Sequence, residues 1–284
     1  MSIETLSRHR AFGGTVSFHR HAAQSTACAM RFAVFTPPQT ATRKVPVVTY
    51  LAGLTCTEET FMIKGGALAA AAELGLMLVA PDTSPRGPDV PGDPDGGWDF
   101  GLGAGFYLDA THAPYDRHYR MYSYVTRELP ALMAAHFPAD PGRQGIFGPS
   151  MGGHGALTIA FKNPAHYRSI SAFAPIAAPM RCPWGEKALP RYLGPDRTAW
   201  RAYDATELLA DMADGPGRPP LLVDVGLADQ FLASQLNIDA LEQACAAAGQ
   251  RLTLRRHAGY DHGYYFVSTF MADHLRHHAH FLNG

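Results

Sequence analysis

The residues best suited to do chemistry in this sequence form the pattern G-x-S-x-G, which reads Gly-Pro-Ser-Met-Gly at 148–152. An apolar run at 145–147 precedes the pattern, and a stretch compatible with a helix follows it as far as Pro164. In a nucleophile elbow, a serine occupies a sharp turn between a strand and a helix, and small neighbours leave room for the strained backbone. The pattern therefore predicts that Ser150 presents its hydroxyl in a cleft as a nucleophile.

A serine hydroxyl also needs a base that takes its proton and an acid that orients the base. In this architecture the acid follows a later strand than the serine does, and the histidine follows a still later strand. Asp229 lies just beyond one predicted strand, and His262 lies in a glycine-flanked loop beyond the next. Asp224 competes for the acid role, but it falls within an apolar run, where structural hydrogen bonds are expected. We therefore expect catalysis by Ser150 and Asp229 with His262 as the general base.

An acyl-transfer site further requires donors for the oxyanion that forms at the attacked carbonyl. The backbone N–H of Met151, directly after the serine, is the first expected donor. The second usually comes from the loop after the strand that precedes the first long helix, which here reads Gly-Leu-Thr-Cys at 53–56. We assign the second donor to the backbone N–H of Leu54. Each such donor is worth on the order of 3 kcal/mol in the transition state.

The elements that must position these residues alternate between short β-rich runs and longer segments with helical spacing. This order is typical of an α/β protein, and several runs are apolar almost throughout, as expected for parallel strands covered on both faces. Strands are predicted at 30–36, 45–51, 76–80, 144–147, 169–174, 221–225 and 252–256. Helices are predicted at 66–74, 124–133 and 236–248. Pro130 should bend the second helix, because proline removes an amide donor.

One long segment without periodicity, residues 87–113, is rich in glycine, aspartate, proline and aromatic residues. Long loops in compact domains are often functional, and the aromatic residues Trp98, Phe100, Phe106 and Tyr107 indicate packing over a site. The sequence shows no internal repeat and no linker long enough to force a boundary. Residues 1–284 are therefore predicted to form a single domain.

Composition excludes several classes of function. Of the 284 residues, 46% are hydrophobic and 17% are charged, which favours a folded core over disorder. The 24 Lys and Arg residues nearly balance the 25 Asp and Glu residues, so a nucleic-acid partner is not expected. No apolar run approaches the roughly 18 residues of a membrane-spanning helix. No secretory signal is recognised at 1–14, so we expect a cytoplasmic protein without a membrane partner.

Metal-binding patterns are weak. The four cysteines lie far apart without a C-x-x-C pair, which fits neither a zinc site nor a disulfide framework. An Asp-rich stretch at 89–96 hints at a calcium loop, but a proline interrupts it and no glutamate closes it. Near the C-terminus, His274, His277 and His278 fall at helical spacing without an H-E-x-x-H pattern, so a solvated helix face is expected. No metal is predicted.

Several short segments of the chain have distinctive sequences. They read Gly-Leu-Thr-Cys-Thr-Glu at 53–58, Trp-Asp-Phe-Gly at 98–101, Ser-Met-Gly-Gly-His-Gly at 150–155, Cys-Pro-Trp-Gly at 182–185, Asp-Gln-Phe-Leu at 229–232 and Gly-Tyr-Asp-His at 259–262. In these segments the chain resembles the S-formylglutathione hydrolase family, the esterase D group of α/β-hydrolases, nearly from end to end. The resemblance implies an α/β-hydrolase fold with a mostly parallel central sheet and helices on both faces.

The same resemblance implies a reaction. Members of the family hydrolyse S-formylglutathione to formate and glutathione, the closing step of glutathione-dependent formaldehyde detoxification, with side activity on small carboxylic esters. They need no cofactor, and a homodimer is usual. Ser150, Asp229 and His262 match the family's triad, while Leu54 and Met151 match its oxyanion donors.

Four further residues lie at or near the site that the resemblance implies. The family carries a cysteine at the place of Cys56, where it can make activity sensitive to thiol reagents. Trp184 and Lys64 are candidate substrate contacts. Lys64 is a candidate because it follows the oxyanion loop and could meet the carboxylates of glutathione, although a lone lysine beside a glycine is ordinarily solvated. The family more often has histidine where this chain has Pro149. The fixed φ of proline and its missing amide proton bear on pocket shape and rate rather than on the class of reaction.

Three alternatives stay open at this point. Cys56 could itself be the nucleophile, because thiolates attack thioesters readily, although it lacks the elbow context of Ser150. The chain could instead be a general small-acyl carboxylesterase or an acyltransferase. It could also be a catalytically silent hydrolase-like binding protein, since a fold does not guarantee activity.

Overall fold

A computed structural model describes residues 2–212 and 218–284, and its central feature is one twisted sheet. The strands are β1 Glu4–Ala11, β2 Gly14–Ala23, β3 Cys28–Thr36, β4 Val45–Tyr50, β5 Met77–Pro81, β6 Ala139–Pro149, β7 Tyr167–Phe173, β8 Leu221–Gly226 and β9 Leu252–His257. Their order in the sheet is β1-β2-β3-β5-β4-β6-β7-β8-β9. The six strands from β5 to β9 in this order run parallel, whereas β1, β2 and β3 pair antiparallel.

Helices fill the crossovers between the parallel strands, as a parallel sheet requires. The α-helices are α1 Glu58–Lys64, α2 Leu68–Leu74, α3 Met121–Ser123, α4 Leu129–His136, α5 Met151–Lys162, α6 Pro183–Leu193, α7 Arg197–Trp200, α8 Ala205–Asp211, α9 Ile238–Ala247 and α10 Tyr264–Asn283. Short 3-10 segments span Pro38–Ala41, Pro179–Arg181 and Arg201–Tyr203, and π-helical turns span Tyr124–Glu128 and Leu232–Leu236. Within the described residues, no helix is long and apolar enough to cross a membrane.

The apolar core lies on both faces of the sheet. Alternate residues of β4 point to opposite sides, so that Val48 and Tyr50 join one buried cluster and Val45 and Val47 join another. Helix α10 packs on the first face, and α4 covers the second. The fold is therefore that of an α/β-hydrolase, as predicted, with a mostly parallel sheet between layers of helices.

Each of the seven predicted strands coincides with an observed one, but the two N-terminal strands were not predicted. Strand β1 is exposed along most of its length, and β2 buries His19 and His21 on either side of the exposed Arg20, so neither shows an apolar run. The region around Pro130 also differs. The predicted helix is present and runs without a break from Met121 to His136, but the π-helical turn at Tyr124–Glu128 interrupts its α-helical hydrogen bonding just before Pro130, which has no N–H to donate.

The solvated histidine face predicted near the C-terminus is wrong. His274 and His278 of α10 are 0% exposed and face the sheet. The hydroxyl of Ser171 lies 2.8 Å from Nδ1 of His274 and 3.0 Å from Nε2 of His278. Asp224, the rejected acid candidate, is also fully buried and receives two 2.6 Å hydrogen bonds from the guanidinium of Arg255. These groups form a buried polar network that joins α10 to β7, β8 and β9.

Candidate active site

The loops that follow four parallel strands bring the candidate residues to one edge of the sheet. Leu54 follows β4, Ser150 follows β6, Asp229 follows β8 and His262 follows β9. Because the carboxyl ends of parallel strands meet at the same edge, residues that are distant in sequence become neighbours there.

The turn at Ser150 has the conformation of a nucleophile elbow. Ser150 has a φ of 55° and a ψ of -122°, a conformation that L-residues rarely adopt, between the end of β6 and the start of α5. A Cβ atom at Gly148 would lie 2.1 Å from the carbonyl oxygen of Leu51, and one at Gly152 would lie 1.8 Å from the same oxygen. Glycine is therefore the residue that these two positions accommodate, and the turn keeps Ser150 close to the loop after β4.

Asp229 and His262 form a short hydrogen bond. Nδ1 of His262 lies 2.5 Å from Oδ2 of Asp229, whose side chain is 0% exposed. The other carboxylate oxygen, Oδ1, accepts a 2.7 Å hydrogen bond from the backbone N–H of Phe231, and the Phe231 ring packs edge-on against the imidazole at 5.0 Å. The carboxylate is thus fixed from both sides, and it holds the imidazole in the tautomer that carries its proton on Nδ1.

Ser150 and His262 line the same cavity, which measures about 180 Å³. The remaining walls are mostly apolar and come from Gly53, Leu54, Cys56, Trp98, Pro149, Trp184, Phe231, Tyr264 and Val267. The rings of Trp98 and Trp184 meet edge-on at 5.9 Å, and Trp184 lies 4.7 Å from Phe231. A site of this kind, apolar with a few convergent polar groups, suits a small acyl group.

The two expected oxyanion donors lie on either side of the serine. Met151 begins α5 directly after Ser150, and a Cβ atom at Gly53 would lie 3.4 Å from the Cβ of Ser150, so the loop that carries Leu54 touches the elbow. The N–H groups that follow Leu54 are engaged elsewhere, since those of Thr55 and Cys56 donate to the carbonyls of Gly103 and Gly53.

The thiol of Cys56 is part of the cavity wall. Burial raises the pKa of this thiol, although hydrogen bonds with the side chains of Tyr264 and Thr60 oppose the shift. A raised pKa disfavours the thiolate, which is the nucleophilic form of cysteine. The hydroxyl of Tyr264 in turn lies 3.1 Å from that of Tyr50.

The two candidate substrate contacts lie in different places. Trp184 lines the serine cavity, whereas Lys64 lines a neighbouring groove together with Asp261 and Tyr264. Sequence reasoning missed Phe231, Tyr264 and Val267 as parts of the cavity. The sequence signal that could have found them is their closeness to predicted site residues. Phe231 follows Asp229 by two residues, and the other two lie in the first turn of the helix after His262.

Fold and elbow together define the class of protein as an α/β-hydrolase, and the Esterase family model matches residues 23–277. S-formylglutathione hydrolase of Mus musculus is 51% identical over 285 residues, covering 100% of both chains. S-formylglutathione hydrolase of Paracoccus denitrificans (strain Pd 1222) is 50% identical over 279 residues, covering 98% of each. The solved structure of an S-formylglutathione hydrolase from Agrobacterium tumefaciens matches with a TM-score of 0.95 and 53% identity, covering 98% of this chain and 99% of that chain. This chain belongs to the S-formylglutathione hydrolase family of esterases.

Proposed function

We propose that this chain hydrolyses S-formylglutathione to formate and glutathione through a formyl-enzyme on Ser150. The observation that carries the proposal is that His262, hydrogen-bonded to the buried Asp229, lines the same small cavity as a strained Ser150. Relatives about half identical over their whole length are named for this reaction, which supports the choice of substrate.

In the first half of the reaction, His262 takes the proton of the Ser150 hydroxyl through Nε2. The alkoxide attacks the formyl carbonyl, and the N–H groups of Leu54 and Met151 donate hydrogen bonds to the oxyanion that develops. Asp229 balances the charge that the imidazole carries at this stage. As the tetrahedral intermediate collapses, the carbon–sulfur bond breaks, and the imidazolium returns its proton to the departing sulfur of glutathione.

In the second half, water replaces the thiol. His262 removes a proton from this water, the resulting hydroxide attacks the formyl ester, and the oxygen of Ser150 leaves with the proton that His262 returns. The products are formate and the free enzyme. The small, mostly apolar cavity also admits the acyl groups of simple carboxylic esters, so side activity on such esters is part of the proposal.

The test compares kcat/KM for S-formylglutathione with kcat/KM for p-nitrophenyl acetate in the wild type and in Ser150→Ala. We expect a preference for the glutathione thioester, and a loss of roughly 10⁴-fold or more in the variant on both substrates. A serine-directed phosphonate should label the wild type but not the variant. Equal specificity constants would leave a general carboxylesterase or acyltransferase. Absence of both turnover and labelling in the wild type would leave a binding protein.

Cytoplasmic location and a homodimer complete the proposal. All four cysteines are free, which is typical of a reducing compartment. The dimer is proposed from the family resemblance, and the exposed edge strand β1 offers one surface for it, because in the described part of the chain no strand pairs with its outer backbone groups. Light scattering of the purified chain should give about twice the monomer mass, and a monomer mass at micromolar concentration would contradict the dimer.

A further inference from the structure

Beside the serine cavity lies a second depression of about 580 Å³, which we call the γ-glutamyl groove. It is lined by Lys64, Asp261, Gly263, Tyr264, Tyr265 and Ser268. We propose that this groove binds the γ-glutamyl end of glutathione, with Lys64 facing its α-carboxylate and Asp261 facing its α-ammonium group. The inference rests on the proposed function, because it concerns the leaving-group half of the same thioester.

The groove begins where the leaving group must lie. In the proposed mechanism His262 gives its proton to the departing sulfur, so the cysteinyl sulfur of the substrate lies beside that imidazole. Asp261 and Gly263, the two chain neighbours of His262, both line the groove, and Tyr264 lines the groove and the serine cavity alike. A peptide arm that extends from the sulfur past His262 and Tyr264 therefore enters the groove.

The charges of the groove match one arm of glutathione and not the other. The γ-glutamyl arm ends in a carboxylate and an ammonium group on the same carbon, whereas the glycyl arm ends in a carboxylate alone. Lys64 and Asp261 supply the complementary pair. Within residues 2–212 and 218–284 neither forms an ion pair with another side chain, whereas Lys187 pairs with Asp93 and Asp99.

The walls between the charged groups suit the carbon chain of a γ-glutamyl group. Tyr265, which is 88% exposed, lines the groove, and Ser268 adds a hydroxyl one helical turn further on. Oδ1 of Asp261 accepts a 2.8 Å hydrogen bond from the N–H of Gly263, which fixes the carboxylate at the start of α10 while Oδ2 stays available. The anionic side of the groove is thus held in place before a ligand arrives.

The experiment uses Lys64→Gln and Asp261→Asn, and the latter keeps the oxygen that accepts from Gly263. Three substrates report on the two arms: S-formylglutathione, S-formyl-γ-glutamylcysteine, which lacks the glycyl arm, and S-formyl-N-acetylcysteinylglycine, which lacks the γ-glutamyl arm. We expect each variant to lower kcat/KM for the first two substrates about fivefold, the size of one partly exposed ion pair, mainly through KM. The ratio of kcat/KM between S-formylglutathione and the N-acetylcysteinylglycine thioester should fall by the same factor.

Lys44→Gln is the matched control. Lys44 is an exposed lysine that directly precedes β4 at the opposite edge of the sheet, so its replacement should leave the ratio unchanged. An unchanged ratio in Lys64→Gln, in a wild type that still prefers S-formylglutathione to p-nitrophenyl acetate, would overturn the groove assignment and leave the proposed function intact. A wild type without that preference would overturn both.

Discussion

Cys56 shows how the surroundings of one residue decide its chemistry. Its thiol lies in the wall of the cavity that contains Ser150, close enough for an attached group to enter that cavity. Burial nevertheless raises the pKa of the thiol, so little thiolate is present near neutral pH. The thiol can therefore react with an added reagent and block the cavity without taking part in the hydrolysis.

We therefore expect Cys56→Ser to keep kcat/KM for S-formylglutathione within about threefold of the wild type. N-ethylmaleimide should inactivate the wild type slowly, because the adduct fills the cavity, and should leave the variant active. Residual activity after timed incubation with the reagent measures both effects. Complete inactivity of Cys56→Ser before any treatment would restore the thiolate as a candidate nucleophile.

The sequence predicted the polar residues of the site better than its apolar walls. Ser150, Asp229 and His262 could be placed because each follows a strand in a fixed chain order, and the structure brings all three to one edge of the sheet. Phe231 and Tyr264 follow no such rule. Both are partly buried, and whether such an aromatic side chain lines a cavity or fills the core depends on the packing of helices that are remote in sequence.

At the scale of elements, the predicted strands are those covered on both faces. β4 and β5 are buried at every position and read as apolar runs. β1 is exposed at most positions, and only its pairing with β2 makes it a strand. Composition therefore locates the centre of the sheet, whereas its antiparallel edge is set by tertiary pairing.

In helix α10 the prediction failed for a different reason: polar residues that were expected to be exposed are buried. His274 and His278 lie one turn apart. Helical spacing alone cannot distinguish a solvent-exposed face from a buried face whose imidazoles form hydrogen bonds with hydroxyl groups. Here the partners are Ser169 and Ser171 of β7, and Nδ1 of His278 lies 2.7 Å from the hydroxyl of Ser169. Since α10 begins two residues after His262, this network also anchors the helix that continues from the loop carrying His262.

At the scale of the whole molecule, one sheet contains strands that begin at Glu4 and end at His257. We propose on that basis that residues 1–284 form a single domain. The same core buries several imidazoles. Burial lowers the pKa of six histidines, to about 4 for His19, His154 and His277, and below the ordinary value for His21, His274 and His278.

These lowered pKa values predict that the protein loses stability in mild acid. Each histidine has a lower pKa when folded than the ordinary 6.5 of an unfolded chain, so below pH 6.5 the unfolded state binds more protons. The stabilisation is complete above pH 6.5 and falls as the pH decreases. The slope for one such histidine reaches at most about 1.4 kcal/mol per pH unit, where the unfolded state is fully protonated and the folded state is not. Asp224, with a pKa lowered to about 2 by its hydrogen bonds to His274 and Arg255 against the effect of burial, adds acid sensitivity only at much lower pH.

Urea unfolding at pH 7.5, 6.5 and 5.5 tests this prediction. His154, whose pKa burial lowers to about 4, should by itself lower the free energy of unfolding by about 1 kcal/mol between pH 6.5 and 5.5. His274 and His278 are also 0% exposed with lowered pKa values, and they should add to the fall in the same direction. His154→Gln removes one titrating group at a position whose Nε2 lies 3.0 Å from the carbonyl oxygen of Phe106, so its loss of unfolding free energy between pH 6.5 and 5.5 should be smaller than that of the wild type by about 1 kcal/mol. His166→Gln replaces an exposed histidine as the control and should keep the wild-type slope. A free energy of unfolding that stays level from pH 7.5 to 5.5 would mean that the buried imidazoles take up protons as readily in the folded chain as in the unfolded one.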